Sequence, residues 1–189
     1  MPKTAFRREI LEKRLLHQSS EDRHEKDKKI LCNLEDLKEF KDAGKVLFYA
    51  PIHGEVDTFE IIKRWTDKKE IFLPKTNKEE HRLEIRKIDN LENLKKGAFG
   101  IIEPHENAEE IDPRDISLVI IPGIAFDLKG HRIGFGLGYY DRLLKKTNCP
   151  KVGLAYEFQI IENVPGIEPN DVPVDIIVTE KRIINTQPK

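Results

Sequence analysis

Cysteine is nearly absent. Cys32 and Cys149 are the only two in 189 residues, which excludes a disulfide-stapled scaffold and a cysteine-rich zinc site. No apolar run approaches the ~20 residues that cross a bilayer, and the opening MPKTAFRREILEKRLL has no signal-peptide core. The expected location is cytoplasmic. Net charge is also lacking, at −1 from 33 basic and 34 acidic residues, whereas duplex-binding domains carry a basic excess. Residues 1–30 hold nine Lys/Arg against six Asp/Glu, too small an excess for a nucleic-acid arm. Neither nucleic acid nor a membrane is an expected partner, and the expected state is a monomer. Apolar residues are 38% of the chain and charged ones 35%, against typical values of about 45–50% and about 25%. This is a thin core under a heavily charged shell. One domain of this length buries roughly 70% of its unfolded surface, enough to stand without staples.

Glycine is missing from the first 43 residues, and Pro2 is their only proline. Ile10, Leu11, Leu15 and Leu16 have the spacing of an amphipathic helix face. Ser19 and Ser20 read as a cap, with Glu21 and Asp22 in the first turn of a second helix. That helix is expected to reach about Ala43 and stop at Gly44, with a break near Asn33.

Beyond Gly44 the pattern changes to short apolar runs: 46–50, 71–73, 117–121, 152–155 and 175–178. Such runs suit strands buried on both faces of a mostly parallel sheet. Helical stretches at 58–68 and 138–146 lie between some of them, which makes the fold α/β, with helices covering the sheet. Residues 82–88 alternate and suit an extra edge strand, and 103–115 read as an acidic loop.

One stretch carries chemistry: PGIAFDLKGHRIGFGLGYYDR, 122–142. It follows the strongest strand, and open α/β sheets bind ligands at the carboxyl ends of their strands. Gly134, Gly136 and Gly138 alternate and then give way to a helical pattern. Glycine lets backbone approach a ligand, a helix starting there turns N–H groups toward an anion, and Arg132 adds a forked cation. Together these suit a phosphate cradle. Asp141, in the first helical turn, repels phosphate unless magnesium lies between them. Glycine-rich turns before helices are also common without any ligand, and this spacing is neither the dinucleotide fingerprint nor a Walker loop.

The same string resembles the signature of the 5-formyltetrahydrofolate cyclo-ligase family, which couples Pro-Gly, Phe-Asp, a basic residue, the glycine loop and Tyr-Tyr-Asp. The likeness extends to Lys3 and Arg7, to Glu55-Val56-Asp57-Thr58, and to Val174-Asp175. It implies a single three-layer α/β/α domain over 1–189, with 1–43 as a helical segment packed on it. It also implies ATP-dependent conversion of 5-formyltetrahydrofolate to 5,10-methenyltetrahydrofolate, with Mg²⁺ as cofactor and with 5-formyltetrahydrofolate and ATP as small-molecule partners. Carried over by position, Lys3, Thr4, Ala5, Phe6 and Arg7 would hold ATP, together with Arg132, Ile133, Gly134, Phe135, Gly136, Leu137, Gly138, Tyr139 and Tyr140. Arg132 would be catalytic. Glu55 and Phe135 to Tyr139 would face the folate, and Asp141 and Asp175 would bind magnesium. Leu137 departs from the family, which usually has Gly or Lys there, and a leucine side chain donates nothing to phosphate. The alternative reading is a nucleotide- and folate-binding regulator on the same fold, without chemistry.

Other residues have plainer readings. Arg8, Lys13 and Arg14 suit a solvated basic helix face. Glu55 follows a strand and the turn 51–54; a carboxylate there can accept two parallel hydrogen bonds from the amino-pyrimidinone edge of a pterin. Asp175 heads an apolar strand, where a charge is costly unless paired or metal-bound. His53, His81, His105 and His131 lack metal-ligand spacing. Trp65 is expected in the core, Tyr140 to pack inward and Tyr139 to face the site. Neither cysteine has the context of a nucleophile.

Overall fold

The computed structural model describes residues 3–186, with Lys3 described by its backbone alone. Three helices come first: α1 (Lys3–Gln18), α2 (Arg23–Asp36) and α3 (Lys38–Asp42). The break between α2 and α3 falls at extended Leu37, four residues beyond the expected position. Ser20 is no helix cap: its hydroxyl donates back to the His17 carbonyl at the end of α1, and Asp22 stands at the N-cap of α2.

The apolar face of α1 is also not the one its leucines suggest. Leu15 and Leu16 are exposed, while Ile10, Arg14 and His17 are buried. The packed face therefore runs 10–14–17. Ile10 enters a small cluster with Ile124, Ala125, Ile133 and Val164, and Arg14 meets backbone carbonyls instead of water. A polar turn of the main body thus selects an arginine where periodicity alone points to leucine.

The sheet has eight strands. Five are parallel: β1 (Lys45–Leu47), β2 (Glu70–Asn77), β3 (Leu118–Ile121), β4 (Lys151–Leu154) and β5 (Ile176–Val178). Their spatial order is β5-β4-β3-β1-β2. Val46 lies opposite Ile71 on one side and Leu118 on the other; Val152 lies opposite Ile120 and Ile176. Strands 183–185 and 82–88 close the sheet antiparallel, and 110–111 adds a short outer edge. The 103–115 segment is thus partly ordered into strand pairing, which its acidic composition hid.

Alternation along the strands feeds two cores, as a sheet covered on both faces requires. Val46, Ile71, Leu118, Ile120, Val152 and Ile176 face α2, α3 and α4 (Phe59–Trp65). Trp65, expected in the core, is half-buried at its margin and packs edge-on against Phe40 with ring centres 5.1 Å apart. On the other face Leu47, Phe72, Val119, Ile121 and Ile177 meet Leu143 and Leu144 of α5 (Tyr139–Leu144). Three layers result. The second outer layer is thin, built from the six-residue α5 and a small sheet of strands 125–127, 132–133 and 160–161, on which α1 packs.

Candidate active site

The two central parallel strands send the chain to opposite faces. After β1 it crosses through α4 to β2; after β3 it passes through the glycine loop and α5 to β4. Such a switch point leaves a crevice beyond the carboxyl ends of the strands. A cleft of about 590 Å³ lies there. Its floor is Tyr49, Ala50 and Glu55 after β1 and Pro122 and Gly123 after β3; one wall is the loop Gly134 to Asp141, and Arg7 of α1 reaches it. The opposite wall is Pro74, Thr76 and Leu83, with Phe99 and Glu103 at the rim.

The loop is shaped by its glycines unequally. Gly136 has φ +94° and Gly138 φ +65°, a region where a side chain is strained. A Cβ on Gly136 would also sit 3.3 Å from the Arg7 guanidinium, whereas one on Gly134 would meet nothing within 4 Å. Arg7 Nε donates to the Gly134 carbonyl at 2.8 Å, so α1 supports the loop from below. Phe135 and Leu137 stand exposed at the mouth. Tyr139 faces the cleft with Arg142 over its ring, 5.0 Å from the centre. Tyr140 packs against both cores and is pushed upward in pKa by burial. Tyr139 toward the cleft and Tyr140 packed inward is the placement expected of them.

Glu55 is buried on the floor. Its Oε2 accepts from the Ile52 N–H at 3.0 Å, and Oε1 lies 3.6 Å from Arg14 Nη2. Burial pushes its carboxyl up to about 7, against the pull of Arg14 and of the Ile52 N–H. Arg14, read from sequence as a solvated residue, is fully buried. It donates to the carbonyls of Ile52 at 2.8 Å and His53 at 2.7 Å, and reaches Gly123 at 3.4 Å.

Other expectations change. Arg132 lines the cleft and already has protein partners: it donates to the Val172 carbonyl at 2.6 Å and to Asp141 Oδ1 at 2.7 Å. That same Oδ1 also accepts from the Val172 N–H. Asp175 is not in the cleft. It sits at the opposite, amino end of β4 and β5, where Oδ2 accepts from the Lys151 N–H at 2.8 Å. Asp141 and Asp175 therefore do not form one two-carboxylate magnesium site, and among the described residues no cluster of three His, Cys, Asp or Glu could hold a metal. The charge heading the β5 strand accepts from a backbone N–H. Ile133 is core and Phe6 packs with it, while Thr4 is solvent-facing. Neither Ala5 nor these three lines the cleft. The Lys3 side chain lies outside the described residues. A magnesium ion would fit here as a companion of nucleotide phosphates near Asp141, with Glu168 and Asp171 lining the same cleft, since Mg²⁺ is readily held by one or two carboxylates plus phosphates.

Sequence reasoning missed Arg14, His53 and the far wall. His53 has φ +48° in the turn and tilts its ring toward Phe135, 5.9 Å away. The usable signal lay in the turn Ile52-His53-Gly54. Gly54 has φ +73° and approaches the α1 backbone so closely that a Cβ would be 3.0 Å from the Arg14 carbonyl oxygen.

The profile of the 5-formyltetrahydrofolate cyclo-ligase family matches residues 1–180. The chain belongs to that family. Members are enzymes, and two comparisons bear directly on this fold. The NMR structure of the Aquifex aeolicus 5,10-methenyltetrahydrofolate synthetase superposes with a TM-score of 0.90 at 41% identity, covering 100% of this chain and 95% of that one. The Mycoplasma pneumoniae synthetase gives 0.74 at 27% identity over 95% and 99%. The Haemophilus influenzae 5-formyltetrahydrofolate cyclo-ligase is 34% identical over 82% of this chain and 86% of its own length. Within this cyclo-ligase fold the signature loop and Glu55 line one cleft.

The raised carboxyl has a stability consequence. The folded value of Glu55, about 7, lies above its ordinary 4.5. Its favourable contribution is thus fully present below 4.5 and is lost as pH rises through about 7. Denaturant unfolding from about pH 5 to about pH 8 should show wild type losing stability relative to Glu55→Gln. Parallel pH dependences for the two proteins would mean that Glu55 titrates as an ordinary surface carboxylate.

Proposed function

We propose that the chain catalyses the ATP- and Mg²⁺-dependent cyclisation of 5-formyltetrahydrofolate to 5,10-methenyltetrahydrofolate, releasing ADP and phosphate, through a phosphorylated formyl intermediate. The observation that carries this reading is a buried carboxylate, Glu55, and a positive-φ glycine loop on one cleft at the switch point. A flat heterocycle with adjacent donors suits the first, and a polyphosphate suits the second.

In this reading Glu55 accepts from the amino-pyrimidinone edge of the pterin. The backbone of Gly134 to Gly138 takes the phosphates, with Arg7 beneath it and the amino end of α1 near the nucleotide through Arg7. Arg132 acts through Asp141, fixing that carboxylate by one oxygen so that the other can face the nucleotide. Magnesium, when bound with the nucleotide, would offset charge on the transferring phosphoryl group.

The chemistry needs no side-chain nucleophile. The formyl oxygen attacks the γ-phosphorus and ADP leaves. Nitrogen 10 then attacks the formyl carbon, the carbon–oxygen bond breaks, phosphate departs with that oxygen, and nitrogen 10 loses its proton. The protein's tasks are alignment and electrostatic support, as is usual in phosphoryl transfer. Glu55 holds the pterin so that the formyl oxygen lies in line with the γ-phosphate, and the loop keeps water from competing. A regulator lacking chemistry would bind both molecules without consuming either.

Two outcomes test this. With heavy oxygen in the formyl group, the label should appear in inorganic phosphate; label in water with unlabelled phosphate would exclude the phosphorylated route. The two halves of the cleft should also separate on substitution. Glu55→Gln, which puts a donor against a donor, should weaken folate binding about ten- to a hundredfold and leave ATP binding close to wild type. Gly136→Val should do the reverse, provided thermal melts show both variants folded. Folate affinity unchanged in Glu55→Gln would remove Glu55 from the site.

A further inference from the structure

We propose that Arg14 is the positioning residue for the folate end of the cleft: from α1 it holds the 52–55 turn and sets its charge against the Glu55 carboxylate. This rests on the reading of Glu55 as the pterin acceptor.

The geometry is specific. Arg14 donates through Nε and Nη2 to the His53 carbonyl, at 3.0 and 2.7 Å, and through Nη2 to that of Ile52 at 2.8 Å. Nη1 reaches the Gly123 carbonyl at 3.4 Å. One planar group thus ties the turn after β1 to the turn after β3, across the crevice between them. Its charge faces Glu55 Oε1 at 3.6 Å, and both side chains are shut away from water. Arg7 lies seven residues earlier on the same face of α1 and grips the glycine loop. One helix therefore braces both halves of the cleft.

Burying a guanidinium is costly, and stability alone favours an apolar residue at such a position. What an apolar residue would not supply is a counter-charge for Glu55. Arg23 of α2 donates to the Glu55 backbone carbonyl at 3.2 Å rather than to its carboxylate, and Arg7, Arg132 and Asp141 line the same cleft. Tyr49, beyond β1, and Tyr140, of α5, also face Glu55; burial pushes both phenols up, so they stay neutral. Arg14 is thus the charge that resists the burial of Glu55. Without it the carboxyl would be held protonated to higher pH, presenting a donor where an acceptor is needed.

The test compares wild type, Arg14→Met, Arg14→Lys and Glu55→Gln. Arg14→Met should raise the KM for 5-formyltetrahydrofolate about tenfold or more while the KM for ATP stays near its original value. Folate binding weakens as pH falls and Glu55 takes up a proton; in Arg14→Met that loss should move upward by about one pH unit. Arg14→Lys keeps the charge without the fork and should recover part of that displacement. A merely structural role would lower the melting temperature and leave the KM ratio and pH profile as in wild type, which would overturn the proposal; so would equal rises in both KM values. Should Arg14→Met not fold, the carboxyl carbon resonance of Glu55 decides in Arg14→Lys. It should titrate at higher pH than in wild type, and an unmoved titration overturns the proposal. Failure of the underlying reading has a separate mark: Glu55→Gln would bind folate as wild type does, whatever the carboxyl titration reports about Arg14.

Discussion

The gap between β1 and β3 governs the rest of the molecule. The chain leaves β1 toward one face of the sheet, where Ile61 and Ile62 of α4 pack, and leaves β3 toward the other, where Leu143 and Leu144 of α5 pack. No covering element can then fill the space above both strand ends. The segments following the strands, 49–55 and 122–138, are left to line it, and every residue given a role in binding stands on one of them or reaches them from α1 and α5. The cleft is a by-product of how a parallel sheet is wound.

An open crevice between two turns is mechanically weak, and the structure strengthens it with charge rather than bulk. Arg14 spans the gap through backbone carbonyls. On the glycine-loop side Arg132 joins Asp141 to the carbonyl of Val172. Both guanidinium groups are sheltered from water and both donate to backbone carbonyls. A third, Arg7, supports the loop backbone from beneath. Arginine suits this work because its planar fork serves two or more carbonyls at fixed geometry. The shortage of apolar residues noted from composition fits the same picture, with part of the interior near the site built from satisfied polar groups.

The α/β class, the five parallel strands, the helical start and the signature loop were all legible in the sequence, because each rests on local pattern: buried runs, missing glycine, alternate glycines before a helix. The errors share a cause. Leu15 and Leu16 are apolar but outside, and Arg14 is charged but inside, because the surface that α1 meets is a turn full of carbonyls rather than an apolar sheet face. Asp175 is a carboxylate heading a strand, yet its partner is a backbone N–H at the far end of the sheet. Arg132 and Asp141, assigned to separate tasks by residue type, bond to each other. Residue type and spacing report which groups need partners; only the tertiary arrangement decides who the partners are.

The central claim is that one cleft, at the carboxyl ends of β1 and β3, takes both the heterocycle and the polyphosphate. Amide resonance mapping of the isotope-labelled protein tests it most directly, with 5-formyltetrahydrofolate added first and a non-hydrolysable ATP analogue with magnesium second. The account predicts that the first addition moves the resonances around Ile52 to Glu55, and the second those of Gly134 to Tyr139. Lys151 and Asp175, at the amino ends of the strands, should stay still. Shifts centred on Asp175 and Lys151, with the glycine loop unmoved, would contradict it.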